Sequence, residues 1–382
     1  MRILFHVQHL LGVGHLRRAV TLARALAADG WEVLLVSGGA PVEGLELGGA
    51  RFHQLPPLRA ADETLRDLAR LDGRPADEAF CAARRCELLD LLHAEKPDVL
   101  ITEQFPFGRT RLRFELLPLL EAAKTLAPPP LIVSSVRDVL RRASRERVTE
   151  AVAILIASFD AVLIHADPAL VDFARSFADW DAIRSRAYFT GFVAETDLSR
   201  QPAGRDGADE VIVSVGGGAV GAPLLEAAIA ARAHTPLAGR IWRLLVGANL
   251  PAAHRSALPA SEGIVIEPAR KDFTTLLANA TLSISQAGYN TVVETLTCAD
   301  RAVLVPFATV RETEQAERAH LLAERGMVAL VPSGKLTAET LADAVRRAMA
   351  GPSLRSFPPC DTNGARRTGA LLRQLTEARR HD

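Results

Sequence analysis

Short apolar runs alternate with helical segments along nearly the whole chain. Arg2–Val7 is the first run. A glycine-containing turn follows, then a helical stretch over His15–Ala28 that Asp29-Gly30 ends. Trp31–Val36 reads as the next strand. The pattern recurs as strand Asp98–Thr102, helix Leu112–Lys124, and strands Leu131–Val136, Ala161–His165 and Ala187–Thr190. Gly191–Asp209 loses periodicity and gains Gly, Pro and charge, which predicts a linker. Beyond it come predicted strands Val211–Val215, Ile241–Val246, Ile264–Ile266, Leu282–Ser285, Ala302–Val305 and Val328–Val331, then helix Ala338–Met349. A last helix, Gly364–Arg379, follows the Pro-rich turn Ser356–Asp361. Continuous apolar strands separated by helices imply parallel sheets covered on both faces. The expected fold class is therefore α/β: two Rossmann-like, doubly wound domains, 1–190 and 210–355, joined by a linker at 191–209 and followed by a helical segment at 356–382. Ligands are expected in a central crevice, at the C-terminal ends of the strands.

Composition narrows the picture. A chain of 382 residues, 48% of them hydrophobic, exceeds what one core usually serves. Lys+Arg and Asp+Glu both number 45, and zero net charge argues against a general nucleic-acid partner. Cys81, Cys86, Cys298 and Cys360 have no zinc-ligand spacing and read as reduced thiols of a cytoplasmic protein. The apolar N-terminus is interrupted by His6, Gln8 and His9, and the stretch 151–164 by Ser158 and Asp160. Neither reads as a signal peptide or a membrane span. His6 and His9 fall on opposite faces of a strand. Asp179-Trp180-Asp181 falls in a helix-to-strand connection, so no metal site is expected. The basic stretches Phe105–Arg113 and Arg137–Arg147 suit either a solvated helix face or an anionic acceptor or membrane surface, the last implying peripheral contact with the inner face of the membrane.

Two glycine loops stand at strand-to-helix junctions: Gly12-Val13-Gly14-His15, and Gly216-Gly217-Gly218-Ala219-Val220-Gly221. Glycine lets a backbone approach a ligand closely, and the following helix N-terminus offers N–H groups to an anion such as a diphosphate. A tight turn without a ligand is the alternative for both. The second loop also fits G-x-G-x-x-G. A dinucleotide site then needs an acidic residue at the end of the next strand, where Val246-Gly247-Ala248-Asn249 has none. The run Ser285–Glu294 (SQAGYNTVVE) leaves a strand, turns at Gly288 and enters a helix carrying Thr291 and Glu294. A carboxylate at Glu294 facing the crevice suits the two hydroxyls of a ribose; a capping or solvated Glu is the bland alternative. The polar loop with Glu314 and Gln315 suits sugar hydroxyls. His15 has the chemistry of a general base, since imidazole titrates near neutrality, although a helix cap or a core histidine would also explain it. Arg18 lies three residues on, on the same helix face, where it would meet phosphate or carboxylate.

The second half resembles the GT-B glycosyltransferase that adds N-acetylglucosamine to the peptidoglycan lipid intermediate. The resemblance rests on Asp272-Phe273, SQAGYNTVVE, LVPF at Leu304–Phe307, Glu314-Gln315 and Ala323-Glu324-Arg325-Gly326. It covers 213–350 well and the first loop in outline. The opening Gly12-Val13-Gly14-His15-Leu16-Arg17-Arg18 is similar to that of predicted glycosyltransferases with G-x-G-H-L-R-R. It also resembles the UDP-sugar hydrolases of pseudaminic acid synthesis, whose His activates water. The resemblance implies a GT-B fold whose final helix crosses back to the first domain, and an inverting, metal-independent transfer from a nucleoside diphosphate sugar, with UDP as the expected nucleotide. It implies that Glu294 holds the ribose, Gln315 and Glu314 the donor sugar, and Phe273 the nucleobase. Gly217, Gly218, Ala287 and Gly288 would meet the diphosphate, with Thr291 beside them. Gly12, Gly14 and Arg18 would meet phosphate or the acceptor, and His15 would be the base, with Glu103 as its substitute. The donor is a substrate, so no cofactor is expected; the acceptor would be lipid-linked or a glycan. A UDP-sugar hydrolase and a silent nucleotide-sugar-binding subunit are the alternatives.

Overall fold

Every residue of strands Val99–Glu103 and Ala161–His165 is buried, as expected of strands packed on both faces. The computed structural model describes residues 1–10, 12–61, 67–194, 198, 201, 204–216, 221–247, 250–259, 261–308 and 313–381. The chain divides into two units: Met1–Glu195 with Asp361–Asp382, and Thr196–Cys360. The elements of the first are β1 (Arg2–Val7), α1 (Gly14–Ala28), β2 (Glu32–Ser37), β3 (Arg51–Gln54), β4 (Leu58–Ala60), β5 (Leu68–Arg70), α2 (Glu78–Glu95), β6 (Val99–Glu103), α3 (Arg113–Lys124), β7 (Leu131–Arg137), α4 (Arg145–Ser158), β8 (Ala161–His165), α5 (Trp180–Ile183) and β9 (Ala187–Phe189). Seven strands form one parallel sheet in the order β3-β2-β1-β6-β7-β8-β9, and β4 and β5 form a small antiparallel pair.

The second unit contains β10 (Val211–Ser214), α6 (Ala222–Ala231), β11 (Trp242–Val246), α7 (Ala252–Ala257), β12 (Ile264–Pro268), α8 (Phe273–Asn279), β13 (Leu282–Ser285), α9 (Tyr289–Cys298), β14 (Ala302–Leu304), α10 (Glu314–Glu324), β15 (Ala329–Leu330) and α11 (Ala338–Ala350). Its six parallel strands run β12-β11-β10-β13-β14-β15. The final helix, α12 (Gly364–His381), belongs to the first unit. Leu372 sits in that unit's core with Leu22, Leu26 and Trp31. Arg379 donates to Pro130 O and Asp160, and Arg380 to Asp98, each at 2.7 Å.

Both sheets reverse direction once. In the first, the chain builds outward from β1 through β2 and β3, then returns to lay β6 against the other side of β1. In the second, β10 pairs with β11 on one side and β13 on the other. A ligand crevice opens at such a reversal, beyond the carboxyl ends of the two flanking strands. Those ends carry His15 and Glu103 in one unit, and the 216–221 loop with SQAGYNTVVE in the other.

Several elements have no counterpart in the predicted pattern: β3, β4, β5, α2 and α4. Helix α2 begins at an Asp77 cap that accepts from Phe80 N–H. Its inward face carries Arg84 beside Leu88 and Leu92. Arg84 is buried because Glu115 on α3 receives it. A stripe broken by a buried charge does not show apolar periodicity. Helix α4 starts at the Ser144 cap, inside what reads in sequence as a merely basic stretch. The stretch 191–209 is divided: Phe192 N–H donates to Asp361 O in the first unit, and Asn279 donates to Asp206 O in the second.

Candidate functional site

In the first unit the geometry starts from β1. The chain leaves the strand at Val7 and begins α1 at Gly14, with no side chain capping the helix. Gly12 and Gly14 have no positive φ, and a Cβ on either would meet nothing within 4 Å. The protein's own packing does not require glycine there, whereas an approaching ligand would. His15 follows on the first turn, its side chain 13% exposed.

The ring Nδ1 of His15 lies 3.0 Å from Oε1 of Glu103, the last residue of β6. Arg18, one turn along α1, forms an ion pair with the same oxygen. Ser135 on β7 donates to the other oxygen at 2.7 Å. Glu103 is buried with both oxygens engaged, one by His15 and Arg18 and the other by Ser135. Arg18 is buried against Glu103, and its charge faces that carboxylate. Burial lowers the His15 pKa well below the usual imidazole value, and the charges of Arg137, Arg109 and Arg18 and the neighbouring His9 push the same way. The ring is therefore neutral at physiological pH. Glu103 Oε1 is closer to Nδ1 than the Arg18 nitrogen is, 3.0 against 3.4 Å, so Nδ1 donates to the carboxylate and the lone pair is left on Nε2, as a general base requires.

Ser135, His165 and Thr190 belong to the same cluster without any local motif to mark them. They stand with Glu103 towards the C-terminal ends of neighbouring strands: Ser135 pairs with Glu103 in register two residues before β7 ends, His165 ends β8 and Thr190 follows β9. A polar residue at the close of each apolar strand was the signal available.

The basic stretches are mostly occupied within the unit. Arg109 donates to Gln8 O at 2.8 Å, Arg113 pairs with Glu150, and Arg145 with Asp179. Asp179 is thus held by Arg145, and Asp181 faces Arg184 at 3.6 Å. Among the described residues no group of three or more His, Cys, Asp or Glu is placed to hold a metal, and no helix is long and apolar enough to cross a membrane.

In the second unit, Gly216 turns with φ +64°, and a Cβ on Gly221 would come within 2.3 Å of Val215. One glycine makes the tight turn and the other lets α6 pack against β10. Gly217 and Gly218 lie outside the described residues. Beyond β13, Gly288 stands at the N-terminus of α9 and supplies no side-chain cap. Thr291 and Glu294 are half-buried one turn apart on α9, while Val292, Val293 and Leu296 are buried. A Cβ on Gly216 would lie 3.9 Å from Thr291 Oγ1, so the two loops are neighbours.

Helix α10 grips this turn. Oε1 of Gln315 accepts from Ala287 N–H and Phe307 N–H, both at 3.1 Å, and Arg318 donates to Ala287 O at 2.7 Å. The side chain of Ala287 is buried, and both its backbone groups are engaged by α10. The side-chain oxygen of Gln315 is thereby fully engaged. Glu314 is buried at the start of α10, and Phe273, half-buried, opens α8.

This architecture, with a ligand-type loop at the reversal of each of two parallel sheets, is that of GT-B proteins. Acinetobacter baumannii MurG superposes with a TM-score of 0.62 over 98% of this chain and 100% of that one, at 17% identity. The spinosyn rhamnosyltransferase SpnG with thymidine diphosphate superposes at 0.60 over 99% and 96%, at 19% identity. Residues 212–361, most of the second unit, match the glycosyltransferase family 28 C-terminal domain. The curated relatives are more particular. The chain is similar to the UDP-N-acetylglucosamine–N-acetylmuramyl-(pentapeptide) pyrophosphoryl-undecaprenol N-acetylglucosamine transferase of an Exiguobacterium species, 32% identical over 37% of this chain and 40% of that one. It is 27% identical to the Paraburkholderia xenovorans protein of the same name, over 87% and 83%. The match thus spans well under half of the first relative's length and most of the second's.

Proposed function

We propose that this protein is a glycosyltransferase that moves a sugar from a nucleoside diphosphate sugar, with UDP as the nucleotide, to an acceptor hydroxyl. The observation that carries the reading is the neutral His15 held by Glu103 in a chain whose residues 212–361 match a family 28 domain. The second unit binds the donor: Glu294 takes the ribose hydroxyls, Gln315 a sugar hydroxyl, and the N-terminus of α9 at Gly288 the diphosphate. The first unit supplies the base. Nε2 of His15 takes the acceptor's proton as its oxygen bonds to the anomeric carbon, and the bond from that carbon to the diphosphate breaks. In-line attack inverts the anomeric centre. Helix N-terminal N–H groups stabilise the departing diphosphate, so the reaction proceeds without a metal. Relatives named for a pyrophosphoryl-undecaprenol substrate support a lipid-linked acceptor met at the inner membrane face.

A thermal-shift screen of nucleotides and nucleotide sugars tests donor binding, because a ligand specific to the folded state raises the melting temperature. UDP and UDP-sugars are expected to give the largest shifts. Turnover of the best donor is then followed with and without a cell extract. Sugar captured as a glycoside supports transfer; full-speed release of free sugar, with no acceptor able to divert it, would make the protein a hydrolase.

A further inference from the structure

Behind Glu103 the polar contacts continue inward. Ser135 Oγ, 2.7 Å from Glu103 Oε2, is also 3.0 Å from Nε2 of His165. Nδ1 of that ring is 2.8 Å from Thr190 Oγ1. All four residues are buried, and they connect the ends of β6 and β8 and the last part of β7 with the residue following β9.

The hydrogens in this chain have one consistent arrangement. Arg18 can only donate, so the Glu103 carboxylate accepts from it. Ser135 has a single hydroxyl hydrogen, and the carboxylate beside it has none to give. That hydrogen therefore points to Glu103, and the Ser135 lone pair must accept from His165 Nε2–H. Burial, reinforced by the charge of Arg18, holds the His165 pKa well below the usual value, so its ring is neutral and carries one hydrogen. With that hydrogen on Nε2, Nδ1 accepts from the Thr190 hydroxyl. The hydroxyl's other acceptors, Gly191 O and Ile164 O, are farther at 3.1 and 3.4 Å.

We infer that Thr190, His165 and Ser135 form a one-way hydrogen-bond relay that fixes the Glu103 carboxylate and, through it, the tautomer of His15, so that Ser135 and His165 are positioning residues. The inference rests on the proposed role of His15. Ser135 holds Oε2 in place, which keeps Oε1 aimed at His15 Nδ1. Without it the carboxylate can turn about its last bond, and the His15 hydrogen is no longer confined to Nδ1. A ring with its hydrogen on Nε2 cannot accept the acceptor's proton there. The relay consumes nothing and moves no proton; it selects which nitrogen of His15 is bare.

The test uses the full chain with 15N-labelled histidine. Two-bond 1H–15N spectra report which ring nitrogen is protonated, with His15→Ala and His165→Gln assigning the peaks. In the wild type, His15 is expected with hydrogen on Nδ1 and His165 with hydrogen on Nε2. Ser135→Ala should leave His15 as a mixture of tautomers. It should also lower kcat about tenfold, part of the ~10²–10⁴ that a general base contributes, at unchanged donor KM. The acid limb of its pH profile should shift, because His15 also faces Arg18, Arg109, Arg137 and His9, whose fields a loosened Glu103 no longer offsets. His165→Leu should repeat this, and His165→Gln, which keeps a donor, should restore the single tautomer. Hydrogen on Nδ1 of wild-type His165, or His15 unchanged in tautomer and pH profile in folded Ser135→Ala, would overturn the relay. Should His165→Leu fail to fold, Ser135→Ala decides alone. Turnover surviving in His15→Ala would instead defeat the base assignment, while the spectra would still judge the relay.

Discussion

Arg84 on α2 and Glu115 on α3 are wholly buried and joined by two parallel hydrogen bonds, Nε to Oε2 at 2.6 Å and Nη2 to Oε1 at 2.9 Å. The guanidinium also donates to Gly38 O and to the side chain of Gln8, which follows β1. Burial alone would raise the Glu115 pKa, but the charge of Arg84, the His6 ring 3.5 Å from its Oε1 and the hydrogen bonds from Arg84 bring it down to about 2. The folded value lies below the ordinary carboxylate one, so the pair stabilises fully above about pH 4.5 and the contribution is lost as pH falls toward 2. Glu115→Ala leaves a buried cation unpaired and should cost about 3–5 kcal/mol at pH 7. Urea unfolding at pH 7 and pH 3 checks this: the gap between wild type and variant should narrow in acid.

Gln315 joins the β13–α9 turn to the residue after Pro306 through one oxygen. Gln315→Ala strands two amides and should cost about 1–3 kcal/mol of stability. Gln315→Glu keeps an acceptor oxygen and should retain more of that stability while losing the amide donor, so donor affinity falls with the fold intact. Thermal unfolding and titration calorimetry separate the two effects.

Glu294 is the proposed ribose ligand. Glu294→Ala should weaken nucleotide-sugar affinity by about 1–3 kcal/mol, because a charged hydrogen bond is lost. Calorimetry on the folded variant showing wild-type affinity would remove Glu294 from the site.

His15→Ala should lower turnover by about 10²–10⁴-fold and leave donor affinity nearly unchanged. The lowered pKa sets the pH dependence: the base is competent throughout neutral pH and fails only when the ring protonates, well below 6.5. A kcat profile that stays flat down through pH 6.5 is expected; an acid limb at or above that value would mean that another group is the base.

The strand-helix alternation was legible because buried parallel strands read as unbroken apolar runs. Leu282–Ser285 and Ala161–His165 occur as predicted from that signal alone. Helix α2 was not, because its inner face is organised around Arg84, and a buried charge looks like a surface residue until its partner on another helix is known. Residues at the candidate sites divide the same way. His15 and the Ser285–Glu294 run announce themselves by loop chemistry. The pairing of His15 with Glu103 depends on β6 lying next to β1, a long-range fact carried by no local spacing. Gln315 showed its polarity in sequence but not that its oxygen holds Ala287 and Phe307.

Helix α12 gives the chain an order of completion. Residues 196–360 are an insertion within the first unit, whose core lacks Leu372 until the last segment has been made. As the chain leaves the ribosome, the second unit has all its residues while the first still lacks its final helix. Chains cut short before residue 364 should therefore leave the face of α1 that meets α12 exposed, although every strand of the first unit's sheet is present.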